Sequence, residues 1–157
     1  MTELEQIIER LSLTEHPEGG FYSETYRSEE IIPGKNRNLM TAIYFLLTSH
    51  NSSNFHRIKS DELWFYHSGS PIVVHSLDGN GHHEQVVGPD LKSEQTPQFM
   101  VPSGTIFGSS VLEEDSYSLV SCVVAPGFDF KDFKLFTKDE LLAIHPNHLD
   151  IITKLTT

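Results

Sequence analysis

The sequence predicts an all-β domain with short helices at its two ends. Nine short runs rich in β-branched and aromatic residues follow one another between Phe21 and Pro126. Turn signals separate them, among them "PGKN", "KSD", "GSP", "DGNG", "PSG" and "EED", and none of the gaps holds a helical pattern. Apolar stripes at helical spacing occur only before and after this region. Strands at such spacing without intervening helices fit a sandwich or a barrel.

The elements follow in order. Leu4, Ile7, Ile8 and Leu11 form one helical stripe, and Thr2 with Glu5 has the spacing of a capping box, so a helix ends near Leu11. "EHPEGG" then breaks regular structure, because Pro17 fixes one backbone angle and the glycine pair permits positive φ. The predicted strands are "FYSETYRS", "MTAIYFLLT", "SNFHRI", "ELWFYHSG", "PIVVHSL", "EQVVG", "PQFMVP", "TIFGSSV" and "YSLVSCVVAP". The Phe-rich "APGFDFKDFKLF" reads as a further strand with edge packing, against a second subunit. Thr137 and Glu140 predict a capped helix through "KDELLAI", and Pro146 opens a last one with Leu149, Ile152 and Leu155 on one side. No repeat, linker or low-complexity segment divides residues 1–157, which predicts a single domain.

Composition narrows the function. The chain has 157 residues and a net charge of −11, with Lys and Arg scattered. A nucleic-acid partner is therefore not expected, since nothing replaces condensed counterions along a phosphate backbone. No apolar run approaches the roughly 20 residues of a membrane span, and "MTELEQIIERL" lacks the basic start of a signal peptide. A cytoplasmic protein is the expectation. Cys122 is the single cysteine and reads as a small buried hydrophobe within a strand.

The chemistry concentrates in "FHRIKSDELWFYHSG". Two antiparallel strands joined by a short turn would carry His56 and Ile58 on one face, with Glu62 brought beside them. An inward histidine and a facing carboxylate inside a barrel make a small-molecule site. The spacing resembles the first cupin motif: His, any residue, His, three or four residues, Glu, six residues, Gly. His56, Glu62 and Gly69 match it, and Ile58 stands in the second histidine slot. "VPSGTIF" resembles the second motif through Pro102 and Gly104, with Phe107 at the histidine position. Over nearly the whole chain, "HPEGGFYSETYRS", "TAIYFLL", "PQFMVPSGTIFG" and "APGFDFKDFKLF" resemble the signature blocks of an uncharacterised cupin branch. That branch is similar in fold to dTDP-4-dehydrorhamnose 3,5-epimerase. The resemblance implies a cupin double-stranded β-helix (a jelly roll) and a homodimer, but no particular activity.

The site residues follow from these two readings. Ile58 and Phe107 supply apolar surface where cupin metal ligands would stand, so no metal or other cofactor is expected. A metal would need Glu24, His67 or Gln98 to complete a set, and a metal-dependent oxygenase or isomerase is the third reading. The first reading is binding of a small polar molecule, sugar derivatives included, in a mostly apolar pocket. The second, implied by the resemblance to the 3,5-epimerase, is a metal-free epimerase or isomerase with His56 as base and Glu62 orienting it, the tyrosines at 26, 44 and 66 being candidate acids. The sequence leaves open whether the protein is an enzyme. Glu24, Tyr26 and Arg27 are expected at the pocket mouth, Arg27 either gripping an anion or paired with Glu24. Trp64 shares the parity of Glu62, either stacking on a ligand or filling core. His82 and His83 follow "DGNG" at a hairpin tip and His145 and His148 flank a helix start; all four read as solvated surface.

Overall fold

The computed structural model describes residues 1–157. The chain opens with helix α1 (Glu3–Arg10), then β1 (Thr14–Glu15), β2 (Phe21–Arg27), β3 (Ile31–Ile32), β4 (Arg37–Asn38) and β5 (Thr41–Thr48). Next come β6 (Ser52–Arg57), β7 (Asp61–Gly69), β8 (Ile72–Asp78), β9 (Gly81–Val87) and β10 (Gln98–Val101). β11 (Ile106–Val111), β12 (Tyr117–Ala125), β13 (Lys134–Leu135), α2 (Lys138–Ile144) and α3 (Leu149–Lys154) complete it. No helix is long and apolar enough to cross a membrane.

Two antiparallel sheets face each other, in the orders β1-β2-β5-β12-β7-β10 and β13-β6-β11-β8-β9. Strand alternation decides which residues meet between them. Phe45, Leu47, Trp64, Val120 and Cys122 come from the first sheet, and Ile72, Val74, Val87 and Phe107 from the second. This is the all-β jelly roll with short terminal helices that the sequence predicts.

The outer face of the five-stranded sheet carries a second core. Phe55 and Leu77 point away from the first and are covered by Phe136, Leu141, Ile152 and Leu155. The C-terminal helices are therefore part of the packing. The capping box of Thr137 and Glu140 starts α2 as expected. α3 starts at Leu149 rather than at Pro146, and Leu149 itself stays half exposed. At the other end, the Thr2–Glu5 box is formed and Leu11 caps α1, whose apolar stripe rests on the surface with no residue buried.

Three register shifts bear on the site. Along β6 and β11, Phe107 pairs with His56 but Ser109 pairs with Ser53, so β6 carries one extra residue. Along β2 and β5, Glu24 pairs with Ile43 and Tyr26 with Ala42, which makes Thr25 the extra residue. A bulge changes the parity of everything beyond it. Ser53 and His56 thus share the inner face, as do Glu24 and Arg27, although both pairs are three residues apart. The β6 bulge needs Gly108 opposite, where a Cβ would lie 2.5 Å from the Ser53 carbonyl oxygen. The third shift, in β7, makes His67 the extra residue.

A candidate active site at the open end of the barrel

Residues 16–20 close the hairpin between β1 and β2, with the His16 N–H donating to Gly20 O at 2.9 Å. Gly19 has φ +110°, and a Cβ there would sit 2.0 Å from the Ser52 carbonyl oxygen. Only glycine allows the loop to lie this close to β6. The Asn54 N–H donates to Glu18 O at 2.6 Å and locks the approach. The loop thereby delivers His16 and Glu18, both buried, to the barrel interior.

They meet His56 there. Glu18 Oε2 is 3.0 Å from His56 Nδ1 and accepts a short hydrogen bond from Ser53 Oγ. Glu18 Oε1 is 3.3 Å from His16 Nδ1. His56 Nδ1 is also 2.8 Å from the Asn54 carbonyl oxygen. A carbonyl can only accept, so Nδ1 of His56 carries the proton and Nε2 keeps the free lone pair. His16 Nδ1 accepts from the Glu18 N–H at 3.1 Å, which puts the His16 proton on Nε2. Glu18 Oε1 therefore faces a lone pair while Oε2 receives two donors, an arrangement that favours a protonated carboxyl.

Burial sets the charges. It pushes Glu18 up to about 8, outweighing the Ser53 hydrogen bond that lowers it. Glu62 is pushed up to about 7, first by burial and then by Glu18, with His56 acting in the opposite direction. His16 is lowered to about 4 by burial and by its neighbour His56. His56 is also lowered by burial, against the pull of Glu62 and the Asn54 carbonyl. Near neutral pH the site holds two uncharged histidines and two carboxyls at the edge of ionisation.

All four line one cavity of about 430 Å³. Ile58, Cys122 and Val124 extend its apolar wall, and burial, then the charges of Glu62 and Glu18, hold the Cys122 thiol protonated. Phe128, Phe130 and Phe133 form the remaining side. These belong to the segment expected as a strand, but only Lys134 and Leu135 pair. The rest is irregular, tied down by Arg37 to Asp132 at 2.8 Å and by the Phe128 N–H to Thr41 Oγ1 at 2.9 Å. Its aromatic rings wall the cavity rather than packing along a sheet edge.

The expected site residues divide accordingly. His56, Glu62, Ile58, Glu24 and Arg27 line the cavity. His56 and Glu62 do not hydrogen-bond directly, and the carboxyl that touches His56 is Glu18. Arg27 donates to both oxygens of Glu24, to Asn38 Oδ1 at 2.8 Å and to Phe128 O at 3.0 Å. Its fork is occupied, so it fastens the aromatic wall instead of gripping an anion. Tyr26 lies past the β2 bulge and is 52 % exposed on the outer face. Trp64 has the inner parity but sits deeper, between Phe45 and Phe107, where the barrel is filled. Its Nε1 lies near Glu62 without a full hydrogen bond. Tyr66, two residues beyond Trp64, packs partly buried against the same core and donates to Gly69 O at 2.7 Å. Gln98 pairs with Phe65 on the outer face of an edge strand, and Phe107 lies behind His56, ring centres 4.3 Å apart, outside the cavity. None of these last five forms a ligand surface. The reserve candidate His67 bonds Ser121 on the outer face, so its bulge does not turn it inward. His16 and Glu18 went unread because "HPEGG" registers as a chain break; the signal was two ionisable residues flanking Pro17 just before a glycine pair.

The family model described as cupin superfamily (DUF985) matches residues 5–136. The chain belongs to that cupin family. An uncharacterised protein of Saccharomyces cerevisiae, YML079W, is 31 % identical, covering 88 % of this cupin and 78 % of the yeast chain. The crystal structure of protein SO0799 from Shewanella oneidensis superposes with a TM-score of 0.94 at 41 % identity, over 100 % of this chain and 99 % of that one. A hypothetical protein from Leishmania major gives 0.91 at 38 % identity, with 99 % of each chain covered. Oxalate decarboxylase of Bacillus subtilis aligns with 90 % of this cupin at TM-score 0.59 and 19 % identity, over 36 % of its own length. That last likeness is one of fold alone.

Proposed function

We propose that this cupin binds a small neutral carbonyl compound, sugar derivatives included, in the 430 Å³ cavity and shifts a proton next to its carbonyl. One observation carries the reading: a neutral histidine of fixed tautomer and a carboxyl poised near pH 7 line the same buried cavity. His56 Nε2 takes the proton from the carbon α to the carbonyl. Glu62, in its protonated form, gives its proton to the carbonyl oxygen, leaving an enol between an imidazolium and a carboxylate. Epimer forms when the enol turns in the site and takes the proton back from the imidazolium on its other face, and isomer when an α-hydroxy enol takes it at the neighbouring carbon. In each case the Glu62 carboxylate recovers a hydroxyl proton as the carbonyl re-forms. Glu18 orients His56 by accepting from its Nδ1–H.

The preference for a neutral ligand follows from the lining. Arg27 is committed to the protein, and Glu18, Glu62 and Asp129 disfavour phosphate or carboxylate groups. The residues at the cupin metal positions, Ile58 and Phe107, offer no donor atom, and the proposed proton transfers draw on this chain's own side chains.

Solvent-deuterium wash-in, read by proton NMR over a panel of small neutral aldoses, ketoses and deoxyketones, tests the proposal. Native mass spectrometry of protein from its own host supplies any retained ligand for the panel. The wild type should exchange the α proton of a compound it binds, and His56→Ala should not. Tight binding without exchange would make the protein a metabolite-binding module instead.

A further inference from the structure

A second cluster lies on the opposite side of the five-stranded sheet. His75 on β8 pairs with Glu84 on β9, and His82 projects from the same face one step along. His75 Nδ1 and His82 Nε2 are 3.0 Å apart. Glu84 Oε1 is 3.5 Å from the first and 3.7 Å from the second. A hairpin tip was expected to leave His82 in solvent, but its side chain is only 20 % exposed and its ring stacks on His75 at 5.2 Å. His83, on the other parity, is the solvated one and pairs with Asp78.

We propose that His75, His82 and Glu84 bind a divalent transition-metal ion of the zinc type. Bonds of about 2.0–2.1 Å in tetrahedral geometry place ligand atoms about 3.3 Å apart, and the three observed separations straddle that value. Three lone-pair-bearing atoms converge, yet one shared proton can join only the two nitrogens; a cation satisfies all three. His75 is prepared for the role on its far side, where Nε2 is 2.9 Å from Ser110 Oγ. With the proton on Nε2 donated to Ser110, the Nδ1 lone pair is aimed at the ion.

The donor set of two imidazoles and a carboxylate leaves a fourth position for water. His82 and Glu84 also line a recess of about 470 Å³ bordered by His148, Asp150 and Lys154. Lys154 opposes a cation there, while Glu84 and Asp150 offset it. Carboxylate and imidazole together suit zinc and its neighbours rather than calcium or magnesium. The site is distinct from the barrel cavity and does not depend on the proton-transfer reading.

Cobalt(II) titration of the full chain, followed by visible absorption with zinc as competitor, tests the assignment. One cobalt per chain should bind with ligand-field bands of low coordination number, and zinc should displace it. Glu84 is 55 % exposed, so Glu84→Gln should fold as the parent does and weaken binding at least tenfold. His82→Ala should do the same, and Ser110→Ala should weaken binding less. His56→Ala, at the other site, should leave the titration unchanged. Absence of cobalt binding overturns the proposal. So does binding that survives Glu84→Gln and His82→Ala or that is lost in His56→Ala.

Discussion

Replacing Glu18 by Gln removes an ionisable group from the barrel while keeping its size and most of its hydrogen bonds. With a carboxyl pKa of about 8 in the fold against 4.5 in the unfolded chain, the native state holds the extra proton. A raised carboxyl contributes stability in full below the unfolded pKa and loses it as pH rises through the folded one. The slope is negative, so the parent weakens from about pH 4.5 to pH 8. Each unit is worth about 1.4 kcal/mol, and between pH 6 and pH 9 the Glu18 contribution falls by about 3 kcal/mol. Glu62, raised to about 7, contributes a further fall of about 1 kcal/mol over the same interval. Urea denaturation at pH 6 and pH 9 should therefore show the parent losing about 4 kcal/mol and Glu18→Gln no more than about 1 kcal/mol, since Glu62 is raised less once Glu18 is gone. Parallel losses would mean that Glu18 is already ionised at pH 6 and paired with a charged His56. In that case His56 has no free lone pair at neutral pH, and its role as base fails with the prediction.

Three further outcomes are expected. Glu62→Gln should slow α-proton exchange by about a hundredfold or more, the usual scale for losing a general acid, without altering ligand affinity; unchanged exchange would remove Glu62 from the reaction. Gly19→Ala should destabilise the protein by about 1–3 kcal/mol, because positive φ and the Ser52 carbonyl both oppose a Cβ. Equal denaturation midpoints would show that the loop does not press on β6. The outer face of the six-stranded sheet holds half-buried Tyr44, Leu63, Phe65, Leu119 and Val123 on neighbouring strands, and a homodimer is expected there. Light scattering should show a dimer that Phe65→Glu converts to monomer, and a monomeric parent would refute this.

Local chemistry in the sequence determined the elements. Alternating apolar strands, the capping boxes at Thr2 and Thr137, and turn residues at the breaks all act over a few residues, so each could be read where it stands. Alternation also put His56, Ile58 and Glu62 on the inner face, and spacing marked Ile58 and Phe107 as lacking donor atoms. Depth within the barrel was not legible. Glu62, Trp64 and Tyr66 share one face of one strand, but only Glu62 reaches the open end, because the two beyond it meet side chains from the other sheet. Parity itself failed at the β2 bulge, where the extra residue Thr25 sends Tyr26 outward and keeps Arg27 with Glu24. His16 and Glu18 reach His56 only when a glycine loop presses on β6, some 34 residues further along the chain at Ser52 and Ser53. His75, His82 and Glu84 converge only through the pairing of β8 with β9 and the packing of α3 beside them. Short-range chemistry fixed which elements form, whereas pKa values and metal geometry depend on distances between residues that only the tertiary packing brings together.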